Sequence, residues 1–234
     1  MMDYENVLLL FLSNYREESR QAKYSYFESE TKKEVIFTGE QTNDAPVKCL
    51  MSCAMKTSKE DNGKKVAFHK ILCIVTKETL TDCHDGKTTY QLFEEKLKAY
   101  CKEENINSDF EICKIRYNKE DEEKNDTTTE ARAMHIYSQI RSALNIDGPD
   151  KKKTYMYVDY TGGFRDISFL MTTIIRYLEF ADIECKKILY AKLSGEKHIY
   201  ELNCIYDMYQ MINGASEFVS TCLLYTSPSP RDRG

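Results

Sequence analysis

Three short runs of this chain are apolar over most of their length: NVLLLFL at residues 6–12, AFHKILCIV at 67–75 and TYMYVDY at 154–160. A strand with one wet face alternates polar and apolar residues, so runs without that alternation predict strands buried on both faces. The segments between them carry a different period. Val47, Leu50, Met51 and Ala54 share one helical face, as do Tyr90, Phe93, Leu97 and Tyr100, and a third such set runs from Ala131 to Leu144. The first half is therefore expected to read strand 6–12, a hairpin of strands 24–27 and 34–38, helix 44–56 capped by Asp44, strand 67–75, then helix 89–104. The second half is expected to read strand 110–117, helix 127–145 closed by Asp147, Gly148 and Pro149, strand 154–160, helix 164–180, closing strands 183–192 and 198–202, and helix 203–219. Buried strands alternating with helices predict an α/β fold: a Rossmann-like, mostly parallel sheet with helices on both faces, a small β-hairpin extension and antiparallel closing strands.

At 234 residues, with 41% hydrophobic and 30% charged side chains, the chain is long enough for one large domain and unlike a disordered one. No stretch reaches the roughly 18–20 unbroken apolar residues of a membrane span, and residues 1–12 lack a basic leader region, so a cytoplasmic protein is expected. The nine cysteines are expected as free thiols, several on apolar faces. Cys49 and Cys53 share a helical face and Cys83 adjoins His84, but no CxxC pair occurs, and neither a metal nor another cofactor is expected. A net charge of −5 disfavours a protein that coats long nucleic acid, while leaving room for a small anionic ligand in a local pocket. Residues 222–234, ending in SPSPRDRG, have no helical or strand period. They resemble translated sequencing-adaptor read-through and are expected not to be native, which leaves residues 1–221 as the folding domain.

In an open α/β sheet, ligands sit at the carboxyl ends of the strands where the strand order reverses, which singles out the loops after residues 12, 75 and 160. The last of these, Asp159-Tyr160-Thr161-Gly162-Gly163-Phe164-Arg165, puts two glycines where a strand turns into a helix. Glycines let backbone N–H groups approach a ligand closely, and a helix N-terminus suits phosphate. Arg165 stands against the helix dipole in the first turn, a placement explained either by a bidentate phosphate contact or by pairing with Asp166 or another carboxylate. Asp159 and Thr161 read as capping residues, or Asp159 as an acceptor for a ribose hydroxyl.

Residues 154–165 resemble the D-x-T-H-G-F-R signature of CRISPR-associated proteins of the CARF superfamily, with Gly162 at the usual histidine position. The resemblance extends from Asn6 to Val219 through the apolar first strand and tyrosine-rich segment, the strand ending Ile74-Val75-Thr76, the apolar helix after the motif, Ile188-Leu189-Tyr190-Ala191, and the closing Ile199-Tyr200-Glu201-Leu202 before a last helix. It implies a Rossmann-like sensor that binds cyclic oligoadenylate as a homodimer and controls an effector domain, here expected to be missing by truncation. Carried over by position, Thr161, Gly162, Gly163, Phe164 and Arg165 would form one ligand loop and Ser13 and Asn14 the other, with Thr76 at a third strand end. Loss of the histidine favours sensing over ring-nuclease cleavage of the ligand, which stays an alternative, as does a nucleotide-binding module of unrelated pathway. The chain has no R-x(4–6)-H ribonuclease motif, no G-x-G-x-x-G and no P-loop. Glu184-Cys185-Lys186 has the form of a nuclease E-x-K, but on a closing strand it reads as ordinary alternation.

Overall fold

The computed structural model describes residues 4–16, 21–29, 31–58, 60–61, 63–118, 128–149, 152–163 and 165–226, without the side chains of 165–166 and 222–226. The first half runs β1 (Tyr4–Phe11), β2 (Ala22–Glu28), β3 (Lys33–Gly39), α1 (Asp44–Met55), β4 (Glu60–Asp61), β5 (Lys64–Lys65), β6 (Lys70–Val75), α2 (Lys77–Thr81), β7 (Cys83–His84), β8 (Lys87–Thr88) and α3 (Thr89–Glu103). The second half runs β9 (Glu111–Arg116), α4 (Thr129–Ala143), β10 (Lys153–Asp159), α5 (Arg165–Glu179), β11 (Ile183–Ala191), β12 (His198–Glu201) and α6 (Asn203–Thr226).

Eight strands form one sheet in the order β3-β2-β12-β11-β10-β1-β6-β9. Five of them, β9, β6, β1, β10 and β11, are parallel to one another, and β12 closes antiparallel on β11. The fold is thus α/β and Rossmann-like. The hairpin β2–β3 is more than an extension, because β2 adds to the sheet in parallel with β12, pairing Ser25 with His198 and Tyr26 with Ile199.

Strand β1 shows why an unbroken apolar run suits the centre of such a sheet. Its alternate side chains serve two cores: Leu8 and Leu10 face α1 and α3 with Leu50, Met51, Phe93 and Leu97, whereas Val7, Leu9 and Phe11 face α4 and α5 with Ile136, Ile140, Leu170 and Ile174. Each fully buried leucine contributes about 1.5–3 kcal/mol, so both faces of the strand stabilise the fold.

Several boundaries differ from expectation. Strand β6 begins at Lys70; Ala67 and Phe68 are buried but lie outside it, because the chain bends there so that His69 Nδ1 accepts from the Asn6 amide at 3.0 Å. Residue Asn43, not Asp44, is the N-cap of α1. Asp44 instead accepts from the amides of Glu40 and Gln41, each at 2.9 Å, and fixes the turn that enters the helix. Helices α3, α4 and α5 are each followed by a polar residue with positive φ, Asn105, Asn145 and Asp182, types that tolerate the left-handed conformation. The stop after α4 is therefore Asn145 rather than Asp147-Gly148-Pro149. Short α2 and the two-residue hairpins β4–β5 and β7–β8 were not anticipated. The charge-rich segment 119–126 (KEDEEKND), whose composition predicts a solvated loop, lies outside the described residues. Helix α6 continues to Thr226, into the segment expected to be non-native.

Candidate functional site

The chain order reverses at β1, which has β6 on one side and β10 on the other. A crevice is expected at the carboxyl ends of those strands, and the structure has one there. A cavity of about 560 Å³ is lined by residues 11–16 leaving β1, Thr76 and Glu78 after β6, Tyr117 and Asn118 after β9, and Gly163 after β10.

The floor beside it is a buried polar knot. Asn43 Nδ2 donates to the Phe11 carbonyl at 3.1 Å and to Asp159 Oδ2 at 2.7 Å, while Asn43 Oδ1 accepts from the Ser13 amide at 3.1 Å. One side chain from the start of α1 thereby ties together the ends of β1 and β10. The other Asp159 oxygen accepts from the Thr161 amide at 2.8 Å, and Thr161 Oγ1 accepts from the Ala191 amide at 2.8 Å, joining the loop to β11. Asp159 is fully buried, and desolvation raises its pKa to about 6 even though the hydrogen bonds from Thr161 and Asn43 act in the opposite direction.

Above the knot, two loops meet. Gly162 packs so closely on β1 that an added Cβ would lie 1.9 Å from the Phe11 carbonyl oxygen, so the backbone conformation admits no side chain there. That gives a physical reason for glycine at this position: a histidine would require Phe11 to move. Gly163 has φ of +92°, and its amide donates to Ser13 Oγ at 3.4 Å across the crevice. Three side chains clamp the β1 loop: Asn43 on the Ser13 amide, Thr89 Oγ1 on the Tyr15 amide at 3.3 Å, and Gln41 Oε1 on the Arg16 amide at 3.0 Å. Gln41 Nε2 in turn donates to the Arg16 carbonyl at 3.1 Å. A loop so fixed meets a ligand with little further loss of conformational entropy.

Of the residues singled out by sequence, Ser13, Asn14, Thr76 and Gly163 line the cavity. Asp159, Thr161 and Gly162 are buried beneath it and shape the loop. Asp159 is fully buried and is not among the residues lining the cavity, and each of its carboxylate oxygens accepts a hydrogen bond inside the protein. Phe164 and the side chain of Arg165 lie outside the described residues. Thr76 also caps α2, its hydroxyl accepting from the Thr79 amide at 3.4 Å. Sequence reasoning missed Asn43 and Tyr117. Nothing local marked Asn43 beyond its place before a helix, and its partners are 32 and 116 residues away.

The E-x-K form is occupied internally, with Lys186 paired to Glu184. Ser25 Oγ hydrogen-bonds His198 Nδ1 across β2 and β12, and His198 Nε2 lies 3.5 Å from Glu196, but neither Ser25 nor His198 is among the residues lining the crevice. Neither a protein-family model nor a curated protein sequence matches the chain.

Proposed function

We propose that this domain is a cyclic oligoadenylate sensor of the CARF type. One observation carries the reading. The loop that resembles the family signature meets the loop after β1, through Gly163 and Ser13, at the mouth of a cavity at the switch point of a Rossmann-like sheet. The close-packed glycine loop and the polar side chains of Ser13, Asn14 and Thr76 that line the cavity suit a ligand made of phosphates, riboses and bases. In the family that the signature resembles, the ligand spans a dyad, so each protomer would contribute one such crevice to a homodimer. Signalling to an effector then needs the ligand to bind the activated dimer more tightly than the resting one.

Gly162 supports sensing over cleavage, because the position that would hold an imidazole has no room for a side chain. The test is recovery of the ligand: incubate the protein with cyclic tetra- or hexaadenylate, isolate the complex by gel filtration, denature it and chromatograph the nucleotide. Intact cyclic ligand in the protein fraction is the expected result. Linear products would replace the sensor with a ring nuclease, and no nucleotide in the protein fraction would overturn the reading.

A further inference from the structure

The cavity wall formed after β9 is aromatic, and its architecture differs from that of the glycine loop. Tyr117 sits just beyond β9 and borders the cavity. The guanidinium of Arg132, from α4, lies over its ring at 4.7 Å from the centroid, and Nη1 donates to the Tyr117 hydroxyl at 3.0 Å. Phe11 and Tyr117 form a T-shaped pair, with centroids 5.6 Å apart and planes at 85°. The ring is therefore held in one plane by a cation over one face and by its T-shaped contact with Phe11.

That arrangement has a cost. Among the described residues, Arg132 Nε is buried with no hydrogen-bond partner, which is unfavourable. The guanidinium has given up one of its donors to stack on the tyrosine. Of the other aromatics lining the crevice, Phe11 packs T-shaped with Tyr117, and Tyr15 lies against His84 with ring centroids 4.7 Å apart and planes at 34°. Beside Tyr117 the cavity is lined by two amides, Asn118 and Asn14, which have both donors and acceptors for the polar edge of a heterocycle.

We infer that Tyr117, backed by Arg132, is a stacking platform for a nucleobase, with Asn14 and Asn118 placed to engage the edge of the stacked base. The inference rests on the proposal that the crevice holds a nucleotide ligand, and adds that the base is bound at the β9 end, away from the glycine loop. Binding of this kind is driven by the π face, so loss of the ring should weaken binding by about 5- to 100-fold per base, as for other aromatic platforms.

The probe is 2-aminopurine riboside 5′-monophosphate, whose fluorescence is quenched on stacking, titrated against wild type, Tyr117→Phe and Tyr117→Leu. Leucine fills similar space without a π face, and a melting curve for each variant verifies that it folds. Expected are quenching and matched affinity for wild type and Tyr117→Phe, with quenching lost and affinity about 5- to 100-fold weaker for Tyr117→Leu. Should Tyr117→Leu fail to fold, Arg132→Met, which frees the ring, is expected to reduce the quenching instead. Equal quenching in folded Tyr117→Leu, or no binding of the probe to wild type, would overturn the platform. Competition separates the two claims. If the probe stacks but cyclic oligoadenylate does not displace it, the platform stands and the sensor reading falls.

Discussion

Replacing Asn43 by alanine would cut the bridge between β1 and β10, and the effect should depend on pH in a direction fixed by Asp159. The variant loses three hydrogen bonds, to the Phe11 carbonyl, the Ser13 amide and Asp159 Oδ2. The two neutral bonds contribute about 1 kcal/mol each, and the bond to a charged carboxylate about 1.5–3. Asp159 has its pKa raised by burial from 3.8 to about 6. A carboxyl raised in the folded state contributes stability at acid pH that is lost as pH rises through the folded value. At pH 5 the wild-type group is mostly protonated, so the variant loses three neutral bonds, about 3 kcal/mol in all. At pH 8 the group is an anion in a dry site that has lost one of its two donors, and the loss rises to about 4 kcal/mol. The same difference appears as a further upward shift of the Asp159 pKa, each unit of which is about 1.4 kcal/mol. Urea unfolding followed by far-ultraviolet circular dichroism at pH 5 and pH 8 measures both losses. A loss that is equal at the two pH values, or larger at pH 5, would refute the claim that Asn43 solvates a buried, titrating Asp159.

Three further substitutions probe separate links. Gly162→Ala places a methyl 1.9 Å from the Phe11 carbonyl oxygen and should destabilise by about 1–3 kcal/mol, lowering Tm by several degrees; an unchanged melting curve would show that the loop is not packed as described. Asn6 is fully buried in β1 with neither side-chain amide atom hydrogen-bonded among the described residues, so Asn6→Val should stabilise by about 1–2 kcal/mol in chemical denaturation, and a loss of stability would contradict that reasoning. If Arg165 contacts phosphate, Arg165→Ala should weaken cyclic oligoadenylate binding by about 1.5–3 kcal/mol, and unchanged affinity would assign the arginine to a surface ion pair.

The sheet was legible in the sequence because a strand such as β1, buried on both faces, must be apolar throughout, whatever else the chain does. The same signal overreached at Ala67 and Phe68, since apolarity reports burial and not strand geometry. The pairing of β2 with β12 joins Ser25 to His198, and no local pattern encodes a contact across that separation. The site divides in the same way. Its glycine loop was visible as residues 159–163, because two adjacent glycines at a strand end have few other uses. Asn43 resembled a helix cap, and Tyr117 one more tyrosine among 17; their roles arise only when β1, β9 and β10 lie side by side.

The most direct test of the account is a calorimetric titration of the purified protein with cyclic tetraadenylate and cyclic hexaadenylate, with AMP as reference. A cyclic oligoadenylate sensor is expected to give saturable heat at micromolar concentration with one of the cyclic ligands, at one ligand per two chains. No heat with either ring, or equal affinity for AMP, would contradict it.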